Sequence, residues 1–172
     1  MYKRQGTFHS IFLRILHVEA VNIGFTSQFT IYDTADSKSL VRSIIKEMGL
    51  DEKVYKPGIV QTRISNAKNH LVSPAAYASN KEAYEGDRAA KMPAIRDIYH
   101  RYWDRCRQAD AMDFDDLLFY TFILFRDHPE VLARYQEQFR YILVDEYQDT
   151  NYAQHSICLL YTSDAADERS SV

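Results

Sequence analysis

Along most of this chain apolar residues return every third or fourth position, a period that commits it to amphipathic helices packed on one another. Phe8, Ile11, Phe12, Ile15 and Leu16 form the first stripe and predict a helix from about Thr7 to Val18. Phe29 to Tyr32 alternates briefly, and then Val41, Ile44, Ile45 and Met48 form a second stripe, with Asp36 placed to cap its start and Gly49 to stop it. Asp51 to Tyr55 reads as a single turn. Pro57 suits the first position of a helix carrying Val60, Ile64, Ala67 and Leu71 on one face, closed by Pro74. Ala75 to Lys91 is weakly periodic and reads as a short helix with a mobile loop. From Pro93, the stripe Ile95, Ile98, Tyr99, Tyr102, Trp103 and Cys106 predicts another helix. Asp113 can cap the next, through Phe114, Leu117, Leu118, Phe122 and Phe125, and Pro129 opens one to about Gln136.

Strand signal is concentrated in Tyr141-Ile142-Leu143-Val144, an unbroken apolar run of the kind buried in a parallel sheet. It leads straight into Asp145-Glu146-Tyr147-Gln148-Asp149-Thr150-Asn151. Ligands of open α/β sheets gather beyond the carboxyl ends of the strands, so acids placed there face a bound ligand. An aspartate in that position suits the Walker B arrangement, holding Mg²⁺ beside the phosphates of ATP, and a neighbouring glutamate can orient or deprotonate the attacking water. By themselves, two acids after an apolar run are also what a solvated strand end looks like.

Composition narrows the class. With 46% hydrophobic and 26% charged residues the chain is an ordinary globular one, and 172 residues suffice for one domain or parts of two. Its net charge of -3 neither suggests nor excludes nucleic acid, because a local basic face can hide in the total. Cys106 and Cys158 have no metal or disulfide spacing, which fits a reducing cytoplasm. No apolar run approaches the ~20 residues that span a bilayer, so no membrane partner is expected. The aromatic residues, 13% of the chain, fall largely at helical spacing and are expected in the core.

Three strings, in order, carry a resemblance. Gly6-Thr7-Phe8-His9-Ser10, Asp113-Phe114-Asp115-Asp116-Leu117-Leu118 and Val144-Asp145-Glu146-Tyr147-Gln148-Asp149-Thr150-Asn151 resemble the TFHS, DFDDLL and VDEYQDTN motifs of UvrD/PcrA/Rep-type superfamily 1 DNA helicases. The resemblance implies an α/β parent of the RecA-like P-loop NTPase type, of which this piece is predominantly α-helical with one or a few short parallel strands. It implies ATP and Mg²⁺ as cofactors, single-stranded and duplex DNA as partners, and translocation with 3′ to 5′ polarity in DNA repair or replication. Asp145 then becomes the Mg²⁺-side acid, Glu146 the catalytic base and Gln148 a nucleotide contact, while Thr7 and His9 lie on the single-strand path. Asp115 and Asp116 suit capping, salt-bridging or contact with the ATP site. Asp149 and Thr150 are placed to cap the helix that follows. Lys56, Arg63 and Lys68 suit either a solvated face or contact with duplex phosphate.

Segment by segment, the resemblance predicts a RecA-like start with TFHS over 6–32, a helical 1B-type insertion over 33–107 and a RecA-like segment with the two acidic strings over 108–157. The flanks read differently. MYKRQ at 1–5 and CLLYTSDAADE from 158 can be encoded by one inverted repeat resembling a transposase sequencing adapter, so 1–5 and 158–172 are expected to pack against nothing native. No G-x-x-x-x-G-K-[ST] loop occurs in the 172 residues, and the isolated chain is therefore expected to lack ATPase activity. Two other readings stand beside this one: the helicase part of an AddA/RecB-type recombination nuclease, and a non-enzymatic helical module that binds DNA or protein.

Overall fold

A computed structural model describes residues 5–167, as two compact units. Phe29–Asp116 is one, and the described parts of Met1–Gln28 and Leu117–Val172 form the other. In chain order the elements are α1 (Phe8–Glu19), β1 (Thr30–Tyr32), α2 (Thr34–Glu47), α3 (Pro57–Asn69), α4 (Pro74–Ser79), α5 (Lys81–Ala89), α6 (Ile95–Gln108), β2 (Ala111–Asp113), α7 (Phe114–Asp127), α8 (Pro129–Gln138) and α9 (Tyr152–Asp167). None of these helices is long and apolar enough to cross a membrane.

In the unit Phe29–Asp116, α2 packs against α3 and α6, as their apolar stripes predict. Val41, Ile44 and Ile45 meet Val60 and Ile64 of α3 and Ile95, Ile98, Tyr99 and Tyr102 of α6 in one core. Each such side chain contributes about 1.5–3 kcal/mol by leaving water, which explains why the stripes were legible. Local details differ from expectation. Asp33 rather than Asp36 caps α2, and Asp36 returns the bond as the third helical residue, forming a capping box. Pro74 opens α4 instead of closing α3, and Ala75 to Lys91 contains a second helix, α5, capped by Asn80. The brief alternation near Phe29 is β1, which pairs in parallel with β2 through Thr30 and Ala111, Ile31 and Met112, and Tyr32 and Asp113.

The other unit buries Phe12, Ile15 and Leu16 of α1, Leu124 and Phe125 of α7, Val131, Leu132 and Tyr135 of α8, and Ala153 and Ile157 of α9. Glu19 is buried too. Its Oε1 accepts from Arg134 at 2.9 Å and from Tyr135 at 3.1 Å, and its Oε2 accepts from Asn22 at 3.0 Å, which ties α1 to α8.

Two expectations fail in this unit. Tyr141 to Val144 is not a strand: it runs without regular structure, with Tyr141 80% and Leu143 98% exposed. Strand is a pair property, since backbone donors and acceptors must be answered by a neighbour. Among the described residues, the strands are β1 and β2, paired with each other. The second failure is the tail. Tyr161 is half-buried against Phe125, with ring centroids 6.3 Å apart, and its hydroxyl is shared between the carbonyls of Tyr135 at 2.6 Å and Phe139 at 2.9 Å. Gln136 donates to the Tyr161 carbonyl at 2.8 Å. Spacing explains it: Ala153, Ile157 and Tyr161 stand four apart, so Tyr161 extends the buried face of α9 and seals the carbonyl end of α8. Residues 1–4 and 168–172 of the two flanks lie outside the described residues.

Candidate functional site

Thr7 begins α1 as its N-cap: the side chain accepts from the Ser10 amide at 3.2 Å while the Ser10 hydroxyl donates to the Thr7 carbonyl at 2.9 Å. A Cβ on Gly6 would fall 2.7 Å from Ser10 Oγ, so a larger residue there would make that hydroxyl shift. Capping uses a lone pair of Thr7 Oγ1 and leaves its proton to donate elsewhere. His9 follows on the first turn, half-buried. A helix N-terminus carrying such donors is chemically suited to a phosphate oxygen.

The acidic string forms a surface loop held by its own backbone and by α9. Asp145 Oδ1 accepts from the Glu146 amide at 3.0 Å. Glu146 then turns the chain in the left-handed region, at φ 49 and ψ 46, and a 3-10 turn follows over Tyr147–Asp149. That backbone deserves comparison with the other left-handed non-glycine residues. Leu71, Lys91 and Asp110 each come just after a helix end, where such a residue closes orphan carbonyls. Glu146 closes no helix, and the conformation costs roughly 1–2 kcal/mol for a residue with a Cβ.

Downstream, Thr150 Oγ1 donates to the Tyr147 carbonyl at 2.8 Å, and the Tyr147 hydroxyl meets His155 Nδ1 on α9 at 2.5 Å. The helix cap is Asn151 rather than Asp149 or Thr150: Asn151 accepts from the Gln154 amide at 2.9 Å and Gln154 returns the bond at 3.0 Å. The N-x-x-Q spacing was the available signal for this capping box. His155 was not anticipated as a partner of the loop.

The structure therefore brings Asp145 and Glu146 together and sets Gln148 beside them in the next turn, all exposed. Among the described residues no hydrogen bond or ion pair joins Thr7 or His9 to Asp145, Glu146 or Gln148. The carboxylates are hard oxygen donors of the kind Mg²⁺ takes. No group of three or more His, Cys, Asp or Glu side chains among the described residues makes a protein-only metal cage.

In the middle string Asp113 and Asp116 are buried, while Phe114 is exposed. Asp113 caps α7 through the Asp116 amide at 2.9 Å, and Asp116 answers to the Asp113 amide at 3.0 Å. Lys68 on α3 is the cation between them, 2.7 Å from each. Its burial corrects the reading of Lys68 as solvated or phosphate-facing. The same holds in part for Arg63, which pairs with buried Asp87. Asp115 accepts from Asn69 at 2.8 Å, so the aspartates of this string serve structure.

Comparison with known proteins gives concordant matches. A sequence model for the UvrD/REP helicase N-terminal domain matches residues 3–166. ATP-dependent DNA helicase PcrA of Leuconostoc citreum is 40% identical over 152 residues, 88% of this chain and 20% of its own length. ATP-dependent DNA helicase UvrD1 of Mycobacterium tuberculosis is 42% identical over 156 residues, 90% of this chain and 20% of its own. PcrA of Staphylococcus aureus is 42% identical over 158 residues, 92% and 21% respectively. The chain thus spans about one fifth of the length of these relatives.

Proposed function

We propose, from the premise that this chain belongs to the UvrD/REP helicase family, that it supplies the DNA-strand motif and the acidic ATPase motif of an ATP-dependent 3′ to 5′ DNA helicase. The observation that carries the reading is the open loop at Asp145 and Glu146, with Glu146 held in a left-handed backbone that no helix ending requires. Strain of this kind persists where the surroundings fix it, and it concentrates at functional sites.

Asp145 would hold Mg²⁺, and the bound ion would neutralise charge on the β- and γ-phosphates of ATP. Glu146, next in the chain and turned away by its left-handed φ, would take the proton of the attacking water. Gln148, one step into the 3-10 turn, would report nucleotide to the rest of the motor. Thr7 and His9 would touch the phosphates of single-stranded DNA from the start of α1, and residues 33–107 would form the helical 1B-type insertion of a RecA-like domain. By itself the 172-residue chain, without a phosphate-cradling loop in its sequence, would leave these groups with nothing to act on.

A chimera tests this: residues 6–157 replacing the matched segment of the Staphylococcus aureus PcrA protein, assayed by DNA-stimulated phosphate release. Glu146→Gln in the chimera should lower turnover by about 10²–10⁴-fold with ATP binding retained, the range typical of a lost general base. Asp145→Asn should weaken the Mg²⁺-dependent part of nucleotide binding. Near-normal turnover in Glu146→Gln, or brisk hydrolysis by the isolated chain, would remove the assignment.

A further inference from the structure

At the start of α7 two carboxylates share one ammonium out of reach of water. The side chains of Lys68, Asp113 and Asp116 are 1%, 10% and 3% exposed. Fully ionised, the three carry a net negative charge in a low-dielectric site, a state the surroundings penalise steeply. The helix N-terminus favours an anion at both aspartates, but one ammonium answers one charge.

Hydrogen bonding separates the two acids. Asp113 Oδ2 accepts from Lys68 and from the Tyr102 hydroxyl, each at 2.7 Å, and its Oδ1 accepts from the Asp116 amide at 2.9 Å. Asp116 Oδ2 accepts from the Asp113 amide at 3.0 Å. Its Oδ1 lies 2.7 Å from Lys68 Nζ but outside hydrogen-bonding geometry, and among the described residues it is the buried side-chain oxygen left without a hydrogen bond. An extra proton therefore belongs on Asp116, which accepts one hydrogen bond where Asp113 accepts three and so loses less by taking it.

We propose that Asp116 is a proton-binding site that fills as pH falls through neutrality and leaves the buried cluster neutral, and that loss of this proton is a pH switch on the first turn of α7. The electrostatics agree in direction. Burial, and then the Asp113 carboxylate, push Asp116 up to about 7 against the pull of Lys68. Asp113 moves down despite its burial, drawn by Lys68 and by the Lys68 and Tyr102 hydrogen bonds. Tyr102, Cys106 and Lys68, which face the cluster, are each moved upward, away from that range. On α6, burial first and then neighbouring carboxylates raise Tyr102 and push Cys106 up to about 12. On α3, Lys68 is raised against its burial by Asp113 and Asp116. On α7, Asp115 is bonded to Asn69, and α2 offers Ser37, which is uncharged.

The sign follows from linkage. A folded-state value near 7 lies above the unfolded value of about 3.9, so the native chain keeps a proton that the unfolded chain releases. Stability from this group falls as pH rises between those values and levels off above them. The unfolding constant should grow by up to about tenfold per pH unit in that window.

The test uses the whole 172-residue chain labelled with ¹³C-aspartate, its carboxyl resonances followed by NMR from about pH 4 to 9 and assigned by through-bond correlation to the backbone. The expected result is an Asp116 midpoint near 7, absent in Asp116→Asn, with urea unfolding that becomes easier from pH 5 to 7 in the native chain. Assignment in the native chain decides the matter even where Asp116→Asn fails to fold. An Asp116 midpoint below about 5, or a near-neutral titration that belongs to Asp113, would overturn the proposal.

Discussion

Asp113 and Asp116 lie beneath the surface with Lys68 between them, whereas Asp145, Glu146 and Asp149 stand in solvent with no lysine or arginine bonded to them among the described residues. Both strings set acids within four residues of one another after an apolar segment, and both lead into helical turns. What separates them is the counter-charge. In the first, a cation from α3 lies against both acids, and Tyr102 and two backbone amides supply further bonds to them. In the second, the backbone, Tyr147, Thr150 and Asn151 fix the loop, and the carboxylates stay exposed, with Asp145 Oδ1 accepting from the Glu146 amide. The proposed function assigns the metal-bound nucleotide to the exposed string, whose acids have no internal cation among the described residues.

Removing the internal cation should break the comparison most severely. Lys68→Met leaves two buried acids unanswered and should cost about 3–5 kcal/mol at pH 8 by urea denaturation. Part of that loss should return at pH 5, because Asp116, already raised to about 7, would take up its proton. A cost under about 1 kcal/mol at pH 8 would mean that the buried string does not depend on its lysine.

A smaller effect is expected where the exposed string meets α9. Asn151→Ala deletes the cap and should cost about 1 kcal/mol in the same titration, with the helical circular-dichroism signal of the native baseline nearly unchanged. Smallest of all, Asp145→Asn and Glu146→Gln in this chain should each shift stability by no more than about 0.5 kcal/mol, because both side chains are exposed. A loss above 2 kcal/mol from either would show that the exposed acids are structural after all.

The helices were legible because their signal is local: Val41, Ile44 and Ile45, or Ile95, Ile98 and Tyr102, announce a buried face within a few turns. Pairing was not. β2 is three residues, too short for any period, and it exists because β1 lies beside it across the whole of α2 to α6. Conversely Tyr141 to Val144 carries strong strand propensity and forms no strand, since propensity describes fit to a sheet and supplies no neighbour. At the site, the identities of Asp145, Glu146 and Gln148 could be read as a string, but the left-handed turn at Glu146 and the bond from Tyr147 to His155 could not. Lys68 was half-legible: it stands four residues after Ile64 and eight after Val60, on the buried face, yet charge alone suggested solvent.

The parallel pair of β1 and β2 also fixes where the unit Phe29–Asp116 begins and ends. Thr30 enters opposite Ala111 and Tyr32 stands opposite Asp113, so the chain comes in at the start of one strand and goes out from the far end of its neighbour. A change of length anywhere between these strands, from α2 to α6, is therefore taken up inside a segment whose closing pair is set by backbone pairing and not by the length it encloses.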